Sequence, residues 1–538
     1  MNKSKGNNFI KGAITLGVAG LITKLMGFSY RLVLPRMIGA EGVGLYQLAY
    51  PIYTSLLVIS TSGLPVALAK LISDRIAKKE HRSAFMIFKV GRRISISMGL
   101  CLSLLMILLA RPIINIFQWD SRVIYSVVAI APAIFFVSIM STYRGFFQGL
   151  RDMTPTAYSQ VIEQFIRIIS MVILVYLLLP YGIEMAAAGA TFGAVTGAAA
   201  GLLILIYIYF RRREKIWDFV NTGSTVDFNS WKIAKKIISL AIPITFGALI
   251  LPLMSFVDAA IVPTRLQTAG FDNPLELYGQ LSGMALVLVR LPTMFTIALA
   301  TSLVPAVSEA FAVNNEKLIK SRTESALRLA VLIGLPASVG LFILAKPLTT
   351  VIFDNAQAAV PLRFISWGVL FIALKQTTSA VLQGIGKPVV SARNLLVGAV
   401  FNALINYTLT ALPQFGIRGA ALGTVTGFAI AAFLNIYYAK RHIKFKFNIM
   451  QMFIKPLLAV GIMAFLVLKG FDLMCDIYGL FFDQYYILST FSAVFIGGVV
   501  YLFLLLLLQE IKYSDIVLIP KFGKRIADIL FDFGLVKK

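Results

Sequence analysis

The chain of 538 residues is rich in apolar side chains and poor in charge: 58% of its residues are hydrophobic, 14% are charged and its mean hydropathy is +0.84. Soluble domains carry roughly 45–50% apolar and about 25% charged residues, so this composition excludes a soluble or disordered protein. The formal net charge of +26 would indicate nucleic-acid binding in a soluble protein. In a membrane protein, its meaning depends on where the positive residues lie.

Apolar segments long enough to cross a bilayer, which takes about 20 residues, follow one another along the whole chain. Fourteen are predicted, at 9–36, 44–73, 84–110, 122–148, 155–180, 184–210, 233–262, 279–311, 318–345, 359–383, 389–412, 417–439, 450–470 and 484–509. The predicted fold is therefore all-α, a polytopic membrane protein with about 14 transmembrane helices.

The basic residues alternate from one connecting segment to the next. Connections on the side of the N-terminus hold 35 Lys and Arg residues, whereas those on the opposite side hold seven. Cytoplasmic loops carry such an excess of positive charge. The asymmetry predicts that both termini lie in the cytoplasm, and it assigns most of the positive charge to topology rather than to nucleic acid.

The chain also contains an internal repeat, which predicts two six-helix lobes followed by two extra helices. The pattern of Gln148-Gly149, Pro155 and Gly193–Gly197 returns as Gln383-Gly384, Pro388 and Gly423–Gly427. Parallel repeats of this kind are found in transporters. The predicted divisions are an N-lobe at 1–215, a cytoplasmic linker at 216–230, a C-lobe at 231–441, two further helices at 442–510 and a cytoplasmic tail with an amphipathic helix at 511–538.

Charged residues inside apolar segments are costly, about 2.5–3.5 kcal/mol each, and often mark a functional site. Glu163 and Arg167 are four residues apart on one helix, which predicts a structural ion pair. Lys24 and Arg31 share a face of the first helix, and together with Arg290 they predict a cationic cavity. Asp258 and Lys375 complete the candidate substrate-binding residues. A cationic cavity selects an anion, and arginine pairs well with phosphate.

No enzyme motif is visible, and two cysteines and two histidines provide no metal-site pattern. No cofactor is expected, although the transport cycle would use a coupling ion or the membrane potential.

Functions other than transport of an anion fit the sequence less well. A glycan polymerase or glycosyltransferase would need a larger outer loop or an acidic cluster. A cation-coupled drug exporter would need cavity acids, and a non-transporting assembly scaffold is a further alternative.

Several motifs resemble a known family, the multidrug/oligosaccharidyl-lipid/polysaccharide exporter superfamily. The segments that carry the resemblance are Met26–Arg31, Ile38–Tyr46, Arg144–Gly149, Pro155–Ile168 and Leu179–Gly189. They look like the polysaccharide biosynthesis branch, which includes sporulation proteins and the MurJ-type lipid II flippases. The resemblance implies fourteen helices, two lobes in a V shape and a central cavity lined by helices 1, 2, 7 and 8.

The resemblance also implies a function, the outward flipping of an anionic lipid-linked glycan by alternating access. Lys24 matches a basic cavity position of the family, whereas Arg31 and Arg290 lie close to two others; the family's cavity arginine late in helix 2 has no counterpart in Leu56–Gly63. The first expected substrate is a lipid II-like peptidoglycan precursor, including one used for spore cortex synthesis. Capsule, teichoic or O-antigen units and multidrug export are the alternatives. We expect a monomer in the bacterial cell membrane, with membrane lipids and the glycan substrate as its partners.

Overall fold

A computed structural model of the chain describes residues 3–214, 229–445, 450–480, 484–510 and 523–532, and within these ranges the only regular secondary structure is helical. The α-helices are α1 (Lys3–Thr61), α2 (Leu64–Ala77), α3 (His81–Ile116), α4 (Val123–Ile130), α5 (Pro132–Gly149), α6 (Thr154–Leu178), α7 (Ile183–Arg211), α8 (Ser230–Thr268), α9 (Pro274–Gly279), α10 (Leu286–Ala312), α11 (Glu316–Ile343), α12 (Ala345–Phe353), α13 (Ala359–Ile365), α14 (Gly368–Gly384), α15 (Pro388–Leu409), α16 (Ile417–Ile443), α17 (Lys455–Gly479), α18 (Tyr485–Leu507) and α19 (Gly523–Asp532). The all-α prediction is confirmed.

Twelve helical segments of the described chain are long and apolar enough to cross a membrane, and the bent pair α13 and α14 would make thirteen. The 59 residues of α1 exceed one crossing, because a bilayer core is about 30 Å thick and a helix rises about 1.5 Å per residue. Gly39 interrupts α1 with φ 66° and ψ −178°, a conformation that glycine adopts most readily. The first two predicted segments lie on either side of this break. The total of fourteen spans stays a prediction.

The helices divide into two compact units, Met1–Gly283 and Met284–Lys538. The first unit includes α8, which the sequence repeat assigns to the second lobe, because Ile233 and Ile237 of α8 join the apolar core formed by α2, α3, α5 and α7. The two-lobe division of the sequence stays a prediction. Residues 216–228 of the predicted linker, and the parts of the tail before and after α19, lie outside the described residues.

Aromatic side chains form the centre of the first unit's core. Phe88 of α3 is fully buried, and its ring centroid lies 4.3 Å from that of Phe146 and 5.3 Å from that of Tyr143, both on α5. Tyr209 of α7 lies 5.7 Å from Phe88. Aromatic pairs at these distances stabilise packing beyond the area that they bury. The cluster therefore holds α3, α5 and α7 together.

Small residues allow α6 and α7 to approach closely. A Cβ atom on Gly197 of α7 would meet the Cβ of Arg167 on α6 at 2.7 Å, which is closer than real side chains allow. The second unit contains the same arrangement, since a Cβ on Gly427 of α16 would meet the Cβ of Asn402 on α15 at 2.9 Å. Close packing on small residues is a common way for membrane helices to associate.

An ion cluster ties the loop before α4 to α1. The Arg122 guanidinium lies 2.7 Å from a carboxylate oxygen of Glu41 and 2.7 Å from one of Asp120. The side-chain hydrogen bond from Arg122 holds the pKa of Asp120 below its usual value. This cluster anchors the chain just after the break at Gly39.

Candidate functional site

The predicted binding residue Arg31 packs against a buried tyrosine on the same helix. Its Nε donates a hydrogen bond to the Tyr30 hydroxyl at 3.3 Å, and its Cζ lies 5.7 Å from the centroid of the Tyr30 ring. The Tyr30 side chain is 5% exposed, and its hydroxyl lies 3.4 Å from that of Tyr46. Within the described residues, Arg31 is thus held by an aromatic side chain and not by a carboxylate.

A second guanidinium reaches the same ring from α6. Arg167 donates a hydrogen bond from Nη2 to the Tyr50 hydroxyl at 3.1 Å. Its Cζ lies 5.8 Å from the centroid of the Tyr30 ring and 5.9 Å from that of Tyr50, distances at which cation–π attraction operates. The structure therefore brings Arg167 and Arg31 together around Tyr30.

The residues around these arginines form what we call the tyrosine cluster: Tyr30, Tyr46, Tyr50 and Tyr53. The rings of Tyr46 and Tyr50 stack with centroids 5.4 Å apart, and those of Tyr50 and Tyr53 lie 5.7 Å apart. This cluster was not predicted from the sequence. Its signal was the spacing of the last three tyrosines by four and three residues, which places them on one helix face.

The predicted ion pair between Glu163 and Arg167 is replaced by a different one. The Glu163 carboxylate lies 2.7 Å from Nη2 of Arg144, which projects from α5. Arg144 also donates hydrogen bonds to the Ser159 hydroxyl, at 2.9 Å from Nε and 2.6 Å from Nη2. Ser159 and Glu163 are four residues apart on α6, so together they receive one guanidinium from the neighbouring helix.

This exchange of partners leaves the site with uncompensated positive charge. Among the residues that the structure describes, no carboxylate forms an ion pair with Arg31 or Arg167. The Tyr30 and Tyr50 hydroxyls accept hydrogen bonds from one N–H group of each guanidinium, which has five such donors. Withdrawing a charge from water is costly unless the charge is paired, so the half-buried guanidiniums of Arg31 and Arg167 favour an anionic ligand.

The remaining candidates lie at four separate places. Lys24 is exposed on α1, seven residues before Arg31, and Asp258 is half-buried on α8. Arg290 is exposed on α10, whereas Lys375 is half-buried on α14. These last two helices are joined by a hydrogen bond of 2.6 Å from the Thr296 hydroxyl to the Gln376 side-chain oxygen.

Comparisons of the sequence with known proteins give consistent matches. The family model described as polysaccharide biosynthesis protein matches residues 9–311, and the MatE model matches residues 281–408. Stage V sporulation protein B of Bacillus subtilis is 31% identical over 526 residues, which cover 96% of this chain and 99% of that protein. Lipid II flippase MurJ of the same organism is 29% identical over 465 residues, covering 82% and 85% of the two chains.

Solved structures show the same fold. An inward closed conformation of the lipid II flippase MurJ has a TM-score of 0.65 at 17% identity and covers 94% of this chain and 100% of its own. An inward-facing multidrug resistance MATE family transporter of the MOP superfamily has a TM-score of 0.66 at 18% identity and covers 80% and 98%. At these identities the likeness concerns the fold alone.

Proposed function

Because the chain belongs to the polysaccharide biosynthesis protein family of the MOP superfamily, whose members are transporters and flippases rather than enzymes, we propose that it flips an anionic lipid-linked glycan across the membrane. Our specific proposal is a polyprenyl-diphosphate-linked precursor similar to lipid II. The names of its relatives, a lipid II flippase and a sporulation protein, support this substrate class and a role in making spore cortex or cell wall.

The observation that carries the proposal is the convergence of two arginines that have no carboxylate partner among the residues that the structure describes. Arg31 and Arg167 both lie within 6 Å of the Tyr30 ring centroid, at 5.7 Å and 5.8 Å. Guanidinium groups bind phosphate oxygens through paired hydrogen bonds that are short and charge-assisted. A diphosphate would supply negative charge to these two guanidiniums, since the nearby Glu163 carboxylate pairs with Arg144.

The tyrosine cluster would position the two guanidiniums for that ligand. Tyr30 receives a hydrogen bond from Arg31, and Tyr50 receives one from Arg167. Each arginine keeps further N–H donors, since a guanidinium has five. Holding charged groups in place before the ligand arrives reduces the cost of ordering them on binding.

The other predicted binding residues remain part of the proposal. Lys24, which is exposed on α1 seven residues before Arg31, would attract the anion toward Arg31. Arg290 and Lys375 are retained as proposed substrate-binding residues within the second unit. Asp258 would act as a counter-ion when no substrate is bound. The binding of substrate biases the conformations only through its different affinities for them.

We further propose that both termini are cytoplasmic and that the protein works as a monomer in the bacterial cell membrane. The substrate would bind on the inner side and be released on the outer side by alternating access. Return to the inward-facing state would be driven by a coupling ion or by the membrane potential, which acts with about 2.3 kcal/mol per charge per 100 mV.

The proposal is tested by measuring lipid II at the outer leaflet of cells that depend on this chain for its delivery. We expect Arg31→Gln combined with Arg167→Gln to reduce delivery by about tenfold or more, because each loses a charge-assisted contact to phosphate. Arg213→Gln is the matched control, since Arg213 is exposed and lies outside the cluster.

Protein levels in the membrane must be equal for all variants in this comparison. Full delivery by the double variant at equal expression would overturn the role of the two arginines. Normal delivery of lipid II in cells without the chain, accompanied by loss of another surface polymer, would replace the lipid II-like substrate with another lipid-linked glycan.

A further inference from the structure

A second cluster of cationic and aromatic side chains lies in the first unit, apart from the tyrosine cluster. A cavity of about 370 Å³ is lined by Pro155, Tyr158, Tyr207, Ile208, Arg211 and Arg212. These residues come from the start of α6 and the end of α7. From this geometry we propose that the cavity binds the phosphate headgroup of an anionic phospholipid.

The charge in the cavity comes from Arg211. Arg212 forms an ion pair with Asp152, whose other oxygen accepts a hydrogen bond of 3.1 Å from the backbone N–H of Thr154, so Asp152 is fully engaged. Arg211 instead donates a hydrogen bond of 3.0 Å to the Tyr207 hydroxyl, and within the described part of the chain it has no ion pair. One guanidinium therefore lines the cavity without an ion-pair partner among the described residues.

The surroundings favour a lipid over a free ion. Tyr158 and Tyr207 are 57% and 55% exposed. Both residues lie on helices that are long and apolar enough to span the membrane, so their exposed rings are suited to contact lipid. Leu203 lies one turn before Tyr207 and is 64% exposed. Leu203, Tyr207 and Arg211 are spaced by four residues, so they form one line along α7 that runs from apolar to charged. Such a line matches the acyl chain and headgroup of one phospholipid.

Tyrosine and arginine are suited to this depth in the membrane. Tyrosine rings concentrate at the boundary between lipid and water, where the ring is apolar and the hydroxyl is hydrated. Basic residues beside a membrane are attracted to anionic lipids by about 1 kcal/mol each. The Tyr158 hydroxyl and the Arg211 guanidinium would both donate to phosphate oxygens. The inference concerns the membrane lipid and does not depend on which glycan the protein transports.

The test uses the purified full-length protein in detergent, titrated with dioleoyl phosphatidylglycerol and followed by native mass spectrometry. We expect Arg211→Gln to weaken retention of this lipid by about fivefold, and Arg211→Lys to retain most of it. Arg213→Gln removes the same charge two residues away, outside the cavity lining, and should bind like the wild type. A monodisperse size-exclusion profile establishes that each variant is folded.

Four outcomes would overturn the proposal. Unchanged retention by folded Arg211→Gln would show that the cavity is not the binding site. An equal loss in Arg213→Gln would indicate general attraction to surface charge. Equally strong retention of dioleoyl phosphatidylcholine, or displacement of phosphatidylglycerol by millimolar inorganic phosphate, would exclude an anionic lipid as the specific ligand.

Discussion

The Glu163 carboxylate binds Arg144 on the neighbouring helix at 2.7 Å, whereas Arg167, four residues along the same helix as Glu163, binds Tyr50. Glu163 thus stabilises the packing of α5 against α6. Because the Glu163 carboxylate forms its ion pair with Arg144, the guanidinium of Arg167 can form charge-assisted contacts with a ligand. The Arg144–Glu163 contact is therefore a structural ion pair, whereas Arg167 is a candidate binding group.

The first prediction concerns the stability that the Arg144–Glu163 pair provides. The two side chains are only 16% and 21% exposed, so removing one partner leaves a largely buried charge unpaired. We expect Glu163→Ala to lower the free energy of unfolding by about 3 kcal/mol. Thermal denaturation of the purified protein measures this loss.

The control for this prediction is an exposed ion pair of the same kind. Glu316 and Lys320 lie 3.3 Å apart, and the Glu316 side chain is 79% exposed. Glu316→Ala should change stability by less than about 1 kcal/mol because solvent screens such pairs. Similar losses in the two variants would contradict the structural role assigned to Glu163.

The second prediction distinguishes charge from geometry at Arg167. Lysine keeps the positive charge but cannot donate two parallel hydrogen bonds to phosphate. We expect Arg167→Lys to weaken binding of a polyprenyl-diphosphate-linked disaccharide by about tenfold. Titration of the purified protein with this lipid measures the effect, and Arg213→Lys serves as the control. Binding at wild-type affinity by Arg167→Lys would argue against paired contacts from this residue.

The third prediction concerns the pH dependence of the Asp120–Arg122 contact. Its hydrogen bond lowers the pKa of Asp120 in the folded state, so the contact stabilises the fold above the unfolded pKa of about 3.9. The stabilisation is lost as the pH falls through the lower, folded-state pKa. Asp120→Asn should therefore melt at a lower temperature than the wild type at pH 7, and the difference should shrink at pH 3.

Melting temperatures of both proteins, measured between pH 3 and pH 7 in one detergent, test this expectation. Glu316→Gln is a suitable reference because its side chain is largely exposed. A difference between Asp120→Asn and the wild type that is constant over the whole range would show that the Asp120 charge does not stabilise the fold.

The fourth prediction concerns orientation in the membrane. In a background with Cys101→Ser and Cys475→Ser, we expect Glu214→Cys to be shielded from an impermeant thiol reagent added outside intact cells. Asp354→Cys should react, because Asp354 is exposed in a connection predicted to face outward. Permeabilised cells provide the control, in which both should react. The opposite labelling pattern would reverse the topology.

The sequence predicted the helical fold well because a bilayer demands long apolar segments with satisfied backbone hydrogen bonds. It predicted Arg31 as a candidate because a charge within an apolar helix is costly. It assigned the wrong partner to Glu163, since spacing along one helix says nothing of Arg144 on the next. The tyrosine cluster required the fold, because only packing of α6 against α1 places Arg167 near Tyr30 and Tyr50.

The close approach of paired helices at Gly197 and Gly427 has a consequence for symmetry. The two glycines occupy equivalent positions of the repeat predicted from the sequence. Gly197 packs against Arg167, whereas Gly427 packs against Asn402. The two copies thus differ chemically at this helix contact. The first has the charged side chain of Arg167, and the second has the neutral amide of Asn402. A ligand recognised by Arg167 would therefore contact only the first copy of the repeat. The equivalent position at Asn402 would contribute to helix packing alone.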